Sequence, residues 1–510
     1  MNLAMLLDIP ASIVPEQEVF LGRQPRTYGQ LRHAAGRVAA TLADHGVGRG
    51  DRVGVFSTNQ AAYAEVLFGA AVLGAVAVPM NCRAGGEELA HLLGDSQARI
   101  VFTEGRYSDL VRAQAGGVPV TVFGPDYQAE LERRDPVVEA ADVDDDDVAV
   151  VLYTSGTTSL PKGVMLTHGA LTGYVMNRSE CADGTDRGRT IVAAPLHHVA
   201  AISSLLSAVY GGRPAVLLAQ FDAGEWLDAV ERHRVTHGFL VPTMLARLLA
   251  HPDVAKRDLS SLELVTYGAA PMPPSLILRA LQTFPSTVSF SGAYGQTETT
   301  ATVAVLSPDD HRLSGGPEEV EAKTRRLSSV GRPVDDVELR VVGDDGNDLP
   351  AGQTGEVLIR TARTMAGYWG APSAEARGTV DDAGWLHTGD LGHLEEDGYL
   401  FLGGRAGGLI IRGGENVSPE DVEAALFEHP DVADVGVVGV PDEEWGERVG
   451  AAVVARPGSG LTAEDVLAFC ARRLPGYKRP ERVIIMDALP RTSTGKLVRR
   501  NLLPVFTGGD

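Results

Sequence analysis

Short apolar runs recur along the first part of the chain, separated by segments of helix length: RVGVFS at 52–57, VAVVLYT at 148–154, TIVAAP at 190–195, PAVLL at 214–218, GFLVP at 238–242 and LELVTYG at 262–268. A strand covered on both faces reads as a continuous apolar run, and such strands alternating with helices build βαβ units and parallel sheets. The longest apolar stretch, 66–80, is too short to cross a bilayer and contains two glycines and a proline. It predicts a buried helix passing into a strand. After Val330 the runs shorten to VELRVVG and GEVLIRT, broken by Asp-Gly and Gly-Asn pairs, which predicts antiparallel hairpins and a separate subdomain. GGRAGG at 403–408 predicts a mobile connector. Beyond it, SPEDVEAALFEHPDVADVGVVGVPD predicts a capped helix followed by a strand, and TAEDVLAFCARRL a second capped helix.

Composition narrows the function classes. At 510 residues the chain exceeds what one core can organise, so two or more domains are expected. With 44% hydrophobic and 22% charged residues it is globular, which excludes disorder, collagen and coiled coil. Its 45 Lys+Arg against 67 Asp+Glu leave a net charge of −22, which argues against a nucleic-acid partner. The one short basic stretch, RRLPGYKRPER at 472–482, suits a phosphorylated small molecule equally well. The run DVDDDD at 142–147 reads as a solvated turn. Cys82, Cys181 and Cys470 are too few and too scattered for a disulfide framework or a zinc knuckle. No Lys or Arg precedes Arg23, and Asp8 and Pro10 break the leading apolar stretch, so neither a signal peptide nor a membrane span is expected. A cytoplasmic setting is expected.

The strongest local signal is YTSGTTSLPKGV at 153–164. It gathers the hydroxyls of Thr154, Ser155, Thr157 and Thr158, the glycines Gly156 and Gly163, and Lys162 into one turn after a buried strand. Glycines let backbone N–H groups approach an anion, hydroxyls donate to its oxygens and the lysine adds charge, which together is phosphate chemistry. The order is not that of a Walker A loop. A Ser/Thr-rich surface turn is the plainer alternative.

Six further motifs follow in order: APLHHVAA at 194, YGAAP at 267, GAYGQTET at 292, GEV at 355, the block from HTGDLG at 387 to RGGENVSPEDVE at 412, and PRTSTGKLVRR at 490. With these the chain resembles, over nearly its whole length, the adenylate-forming superfamily of acyl- and aryl-CoA ligases, nonribosomal adenylation domains and luciferases. The resemblance implies an α/β fold: a large N-terminal domain of parallel-sheet αβ layers with a small β-barrel-like subdomain over 1–404, a hinge at 405–408, and a small mobile α+β domain over 409–510. It implies ATP, Mg²⁺ and CoA as reactants or cofactors and a small-molecule acid as substrate.

The resemblance also implies roles. Thr154, Ser155, Gly156, Thr157, Thr158 and Lys162 would hold the ATP phosphates, with Thr154 and Glu298 beside Mg²⁺. Tyr294 would stack on adenine, Thr297 would meet the α-phosphate, Asp390 the ribose hydroxyls, and Arg405 the ribose and phosphate. Gly268, Ala269, Ala270, Ala293 and Gly295 would line the nucleotide and acyl pockets. His197, His198, Ala201, Val241 and Thr243 would complete the acyl pocket, with His198 as its gate. Lys496 would bridge the carboxylate and the α-phosphate while the acyl adenylate forms. Each has a plainer reading: Lys496 as a solvated charge, Asp390 as a turn or cap residue, the histidines as packed core. The sequence departs from the family in three places: Gly407 and Gly408 replace a Lys and the hinge Asp, Ser159 stands where Gly is usual, and Ser291-Gly292 makes a small wall.

The implied reaction is acyl-AMP formation followed by transfer to CoA. The acid is expected to be aryl or of medium or long chain; a dicarboxylate such as malonate is disfavoured because no Arg or Lys was expected in the pocket. An alternative is an adenylating enzyme with another acceptor, either a separate carrier-protein thiol or an amine, as in relatives that activate nitrite to diazotise an aryl amine. A non-catalytic nucleotide-binding protein ranks last, since Lys496 and Glu298 are both retained.

Overall fold

The computed structural model describes residues 1–154, 161–370, 379–405, 408–412, 415–442, 444–492 and 496–507. Among the described residues the chain forms four sheets. Each of the six short apolar runs first named contributes a strand. One seven-stranded sheet runs in the order Gly367–Tyr368, Lys162–Thr167, Val148–Thr154, Val76–Met80, Arg52–Phe56, Ile100–Glu104, Val120–Phe123. The helix Ala61–Val72 and the strand Val76–Met80 are buried throughout, as the 66–80 pattern predicts, because helices cover both faces of a parallel sheet. Val148–Thr154 and Lys162–Thr167 are antiparallel with Thr154 opposite Lys162. The Ser/Thr/Gly turn therefore connects a hairpin, unlike a P-loop, which feeds a helix.

The nine-stranded sheet is parallel from Ser289–Gln296 through Leu264–Gly268, His237–Leu240, Thr190–Val192 and Ala215–Leu217 to Glu18–Leu21, and antiparallel at both edges. Ligand sites in such sheets lie at the carboxyl ends of the strands. Four of these ends lead directly into Thr297, Ala269, Val241 and the 194–198 loop.

The region after Val330 is antiparallel, as predicted. Glu338–Val342, Gly355–Arg360, Leu386–Leu394 and Leu400–Arg405 pair in that order and pack on an apolar cluster that includes Tyr294, Val303, Val357 and Leu400. The predicted connector is shorter than the sequence suggests. Gly403 and Gly404 belong to the strand ending at Arg405, with Gly404 opposite Leu391 and Arg405 opposite Asp390. Ladder hydrogen bonds thus hold the first half of GGRAGG. Ala406 and Gly407 lie outside the described residues, and the Gly408 N–H donates to the Arg405 carbonyl at 2.8 Å.

The last hundred residues carry their own core, in which Ile410, Val422, Leu426, Val437, Val453 and Val466 meet. Its two predicted helices form with their predicted caps. Ser418 accepts from the Asp421 N–H ahead of Pro419–Phe427, and Thr462 and Asp465 make a reciprocal capping box ahead of Ala463–Arg473. No helix among the described residues is long and apolar enough to cross a membrane.

Candidate active site

Asp390 is the most heavily engaged carboxylate at the strand ends. It is 6% exposed, and its Oδ2 accepts from the Tyr294 hydroxyl at 2.6 Å and the Gln296 amide at 2.7 Å, while Oδ1 accepts from Arg405 Nε at 2.8 Å. A buried carboxylate needs such donors to stay charged. Its register opposite Arg405 explains the last contact. The Tyr294 ring packs in the apolar cluster described above, and burial together with the neighbouring Asp390 charge pushes its hydroxyl pKa well above the usual tyrosine value. Gln296 was not singled out from the sequence; only its place within GAYGQTET hinted at it.

Strand Ser289–Gln296 ends in a single 3₁₀ turn, Thr297–Thr299, that presents Thr297 and Glu298. The Tyr368 hydroxyl donates to Glu298 Oε1 at 3.1 Å, the Met365 N–H donates to the Glu298 carbonyl at 2.8 Å, and Lys162 Nζ lies 5.4 Å from the Tyr368 ring centre. Tyr368, also missed in the sequence, therefore stands between Lys162 and Glu298. Ser155, Gly156, Thr157, Thr158 and Ser159 lie outside the described residues; Thr154 and Lys162 mark the two ends of their loop.

Lys496 reaches this cluster from the C-terminal unit. Its N–H donates to Thr492 Oγ1 at 3.0 Å, and the Thr492 N–H donates to its carbonyl at 2.7 Å. Arg499, three residues on, binds Glu423 at 2.8 and 2.9 Å and the Val437 carbonyl at 3.1 Å, which ties the segment to its own core. Lys496 is exposed to water. Partial loss of its hydration, and then the positive Arg405, lower its pKa below the ordinary lysine value, while Glu298 and Asp390 pull the other way. The charges of Arg405, Glu298 and Asp390 are thus within electrostatic reach of Lys496.

His197 and His198 follow strand Thr190–Val192 on a loop pinned by Asn59, whose side chain donates to the Ala194 carbonyl at 2.9 Å and accepts from the Leu196 N–H at 2.9 Å. Their ring centres are 4.3 Å apart. Burial, then Arg83, pushes His197 down to about 3; burial, then His197, Lys496 and Arg83, holds His198 well below the usual histidine value. Both rings are neutral at physiological pH. A cavity of about 30 Å³ beside them is lined by His197, Arg83, Thr58, Cys82, Gln220 and Met244. Arg83 lines this cavity with His197, so the expected lack of Arg or Lys among the pocket residues, on which the argument against a dicarboxylate rested, does not hold on this side; Arg83 arrives from the loop after a distant strand, which sequence spacing does not reveal.

Val241 is buried as the N-cap of Pro242–Ala250, with Thr243 half-buried in that helix's first turn. Ala201 is 1% exposed, in the core beneath the first turn of Val199–Tyr210. The small residues need a second correction. A Cβ at Gly268 would stand 2.1 Å from the Ala293 carbonyl oxygen, and one at Gly295 would stand 1.8 Å from that of Ala301. Their missing side chains serve close backbone approach and do not open pocket space. Ala269 adopts φ +66° in the turn leading to Ala270, a strained conformation beside the cluster. Gly268→Ala is expected to lower stability by about 2 kcal/mol or more, because one rigid strand must move away from another; an unchanged thermal midpoint would refute the close-approach reading.

Among the described residues no group of three or more His, Cys, Asp or Glu is placed to hold a metal ion. A single carboxylate such as Glu298 fits Mg²⁺ of the kind that shares its remaining ligands with phosphate oxygens and water.

Comparison with known proteins agrees with this geometry. The chain matches the family described as AMP-binding enzyme over residues 11–369 and AMP-binding enzyme C-terminal domain over residues 421–496. It is 38% identical to a feruloyl-CoA synthase from an Amycolatopsis species over 93% of this chain and 92% of that one. It is 34% identical to the fatty acid–[acyl-carrier-protein] ligase ScoC of Streptomyces coeruleorubidus over 94% of this chain and 92% of that one. Among solved structures it resembles the anthranilate CoA ligase AuaEII in complex with anthranoyl-AMP, with TM-score 0.89 and 26% identity over 100% of this chain and 98% of that one. Matched along most of its length, with Tyr294, Gln296 and Arg405 gathered on Asp390 at its strand ends, this protein is a member of the AMP-binding, adenylate-forming enzyme family.

Proposed function

We propose that this chain joins an aromatic or medium- to long-chain carboxylic acid to CoA in two steps. The acid's carboxylate oxygen first attacks the α-phosphorus of ATP, expelling pyrophosphate and giving an acyl-adenylate. The CoA thiolate then attacks the acyl carbon, expelling AMP and leaving an acyl-CoA thioester. The observation that carries this reading is the buried Asp390 held by Tyr294, Gln296 and Arg405, with Glu298 presented by the 3₁₀ turn that follows Gln296 and Lys496 of the other unit within electrostatic reach of both.

Each residue has a job its geometry allows. Asp390, held by three donors, offers its remaining lone pairs to the ribose hydroxyls, with Tyr294 beside the base. Thr154 and Lys162, at the ends of the hairpin turn, flank the phosphates. Mg²⁺, when bound, would lower the charge repulsion between nucleophile and phosphates, and Glu298 is its carboxylate ligand in this reading, with Thr154 nearby. Lys496 places an ammonium where negative charge builds as the carboxylate meets the α-phosphate. Neutral His198 walls the acyl side without adding a competing charge. The unit after 405–408 then turns to let the thiol in, and the glycines at 407 and 408 supply backbone freedom for that turn.

A carrier-protein thiol as acceptor is the second reading. It is favoured by the likeness to a carrier-protein ligase and by Gly407 and Gly408, which depart from the family's hinge. A cytoplasmic setting belongs with either, since ATP and the thiol donors are present there.

A pyrophosphate-release screen with ATP and Mg²⁺ decides between them, using aryl, cinnamoyl, straight-chain and dicarboxylic acids and nitrite, with CoA, with phosphopantetheinylated carrier protein, or with neither. Acid-dependent release accelerated by CoA is the expected outcome. Acceleration by carrier protein alone would replace the CoA reading, and no release with any acid would overturn both.

A further inference from the structure

Arg363 is a buried arginine, 2% exposed, on the segment between strands Gly355–Arg360 and Gly367–Tyr368. All five of its N–H groups are committed. Nη1 donates to the carbonyls of Thr299 at 3.1 Å and Thr300 at 3.3 Å. Nη2 donates to the Thr302 carbonyl at 3.3 Å and Asp336 Oδ1 at 3.3 Å, and Nε to Asp336 Oδ2 at 2.6 Å. Thr300 Oγ1 answers by donating to the Arg363 carbonyl at 2.7 Å. Burying a guanidinium this completely requires that its charge and donors be matched, and here they are matched mainly by the backbone of one turn.

That turn is strained. Thr300 has φ +49° and Ala301 φ +78°, two successive non-glycine residues in the left-handed region. The strain turns the Thr299 and Thr300 carbonyls toward Arg363 immediately after Thr297 and Glu298. Asp336 anchors the arginine from behind and is itself held by Arg178 at 3.0 Å. Burial would raise the Asp336 carboxyl, but Arg363 and Arg178 bring it down to about 2, so the anchor is ionised at any working pH.

We propose that Arg363 is a positioning residue for adenylate formation: through the strained 299–302 turn it fixes Thr297 and Glu298 where they meet the α-phosphate and Mg²⁺. This rests on the Glu298 reading above. Without the guanidinium, three buried carbonyls lose their donor and the turn relaxes toward negative φ, carrying Glu298 with it.

The test compares Arg363→Gln and Arg363→Lys with Glu298→Gln. The readouts are the Mg²⁺-dependent gain in affinity for a non-hydrolysable ATP analogue, measured by titration calorimetry, the rate of pyrophosphate release, and the rate of CoA acylation from preformed acyl-adenylate. Arg363→Gln is expected to slow pyrophosphate release about 10²-fold, the scale of a small misplacement. It is also expected to remove most of the Mg²⁺-dependent gain while leaving acylation from the adenylate within about threefold. Adding Ala301→Gly, which reaches positive φ without support, is expected to restore about tenfold. Equal loss in both half-reactions, or no recovery with Ala301→Gly, would reduce Arg363 to a fold-stabilising role. If Glu298→Gln removes the Mg²⁺ effect but neither arginine variant does, the Arg363 proposal fails alone; if Glu298→Gln also leaves it intact, the reading of Glu298 fails first. Should Arg363→Gln prove insoluble, Arg363→Lys, which keeps charge but not the five-way fork, carries the same expectations.

Discussion

Lys496→Ala will slow acyl-adenylate formation by about 10³-fold while ATP binding and acyl transfer from preformed adenylate persist. The magnitude follows from removing one preorganised charge aimed at developing negative charge in a partly desolvated site, a loss of about 3–4 kcal/mol. Selectivity for the first half-reaction follows from where the residue sits. Lys496 is within electrostatic reach of Glu298, Asp390 and Arg405 but belongs to the other structural unit, so in the proposed function it acts in the arrangement that brings the two together. The same surroundings fix a pH signature. Its pKa is lowered, so the ammonium is lost as pH rises through a value below that of an ordinary lysine, and the alkaline limb of adenylation begins correspondingly early. Lys496→Arg, charged at all working pH, should push that limb upward in whatever activity it keeps. Rapid-quench measurement of acyl-AMP, with acylation from synthetic adenylate as the parallel assay, checks both; wild-type rates in the alanine variant would remove Lys496 from the chemistry.

Asp390→Asn will weaken ATP binding about 30- to 100-fold, the cost of setting donor against donor in a buried site. The carboxylate accepts on both oxygens, from Tyr294 and Gln296 on one and from Arg405 on the other. An amide of the same shape must turn its NH₂ toward one of those donors whichever way it is flipped. The ribose hydroxyls then meet a disordered or rotated group. Titration calorimetry with ATP gives the affinity directly, and a change below about twofold would mean that Asp390 is a structural tie and not the ribose ligand.

Much of the architecture was legible because buried parallel strands write themselves as uninterrupted apolar runs; VAVVLYT and LELVTYG needed no more than that. The caps at Ser418 and Thr462 were legible because capping is local. Legibility ended where a residue's role depends on what lies across space. Gly268 looked like room for a substrate, yet its missing side chain is filled by the Ala293 carbonyl of the next strand. Arg83 and Tyr368 approach the site from loops and edge strands far along the chain, and no spacing rule links them to His197 or Glu298. The 403–408 glycines read as one flexible run, but pairing with the Leu386–Leu394 strand claims the first two. Sequence carries period and propensity well and partnership poorly.

The Arg405–Asp390 ion pair joins two events usually described apart. Arg405 is the last residue of its strand, and the carboxylate it holds is the one that faces the ribose in the proposed function. In that reading, a displacement of the strand end at Arg405 and a change at the sugar act on the same ion pair. Thermodynamic reciprocity makes this symmetric: if rotation of the C-terminal unit loosens AMP by some factor, AMP departure favours that rotation by the same factor. In the reading proposed above, product release and resetting for the next ATP then share one coupling free energy, carried by a salt bridge that touches neither the acid nor its acceptor.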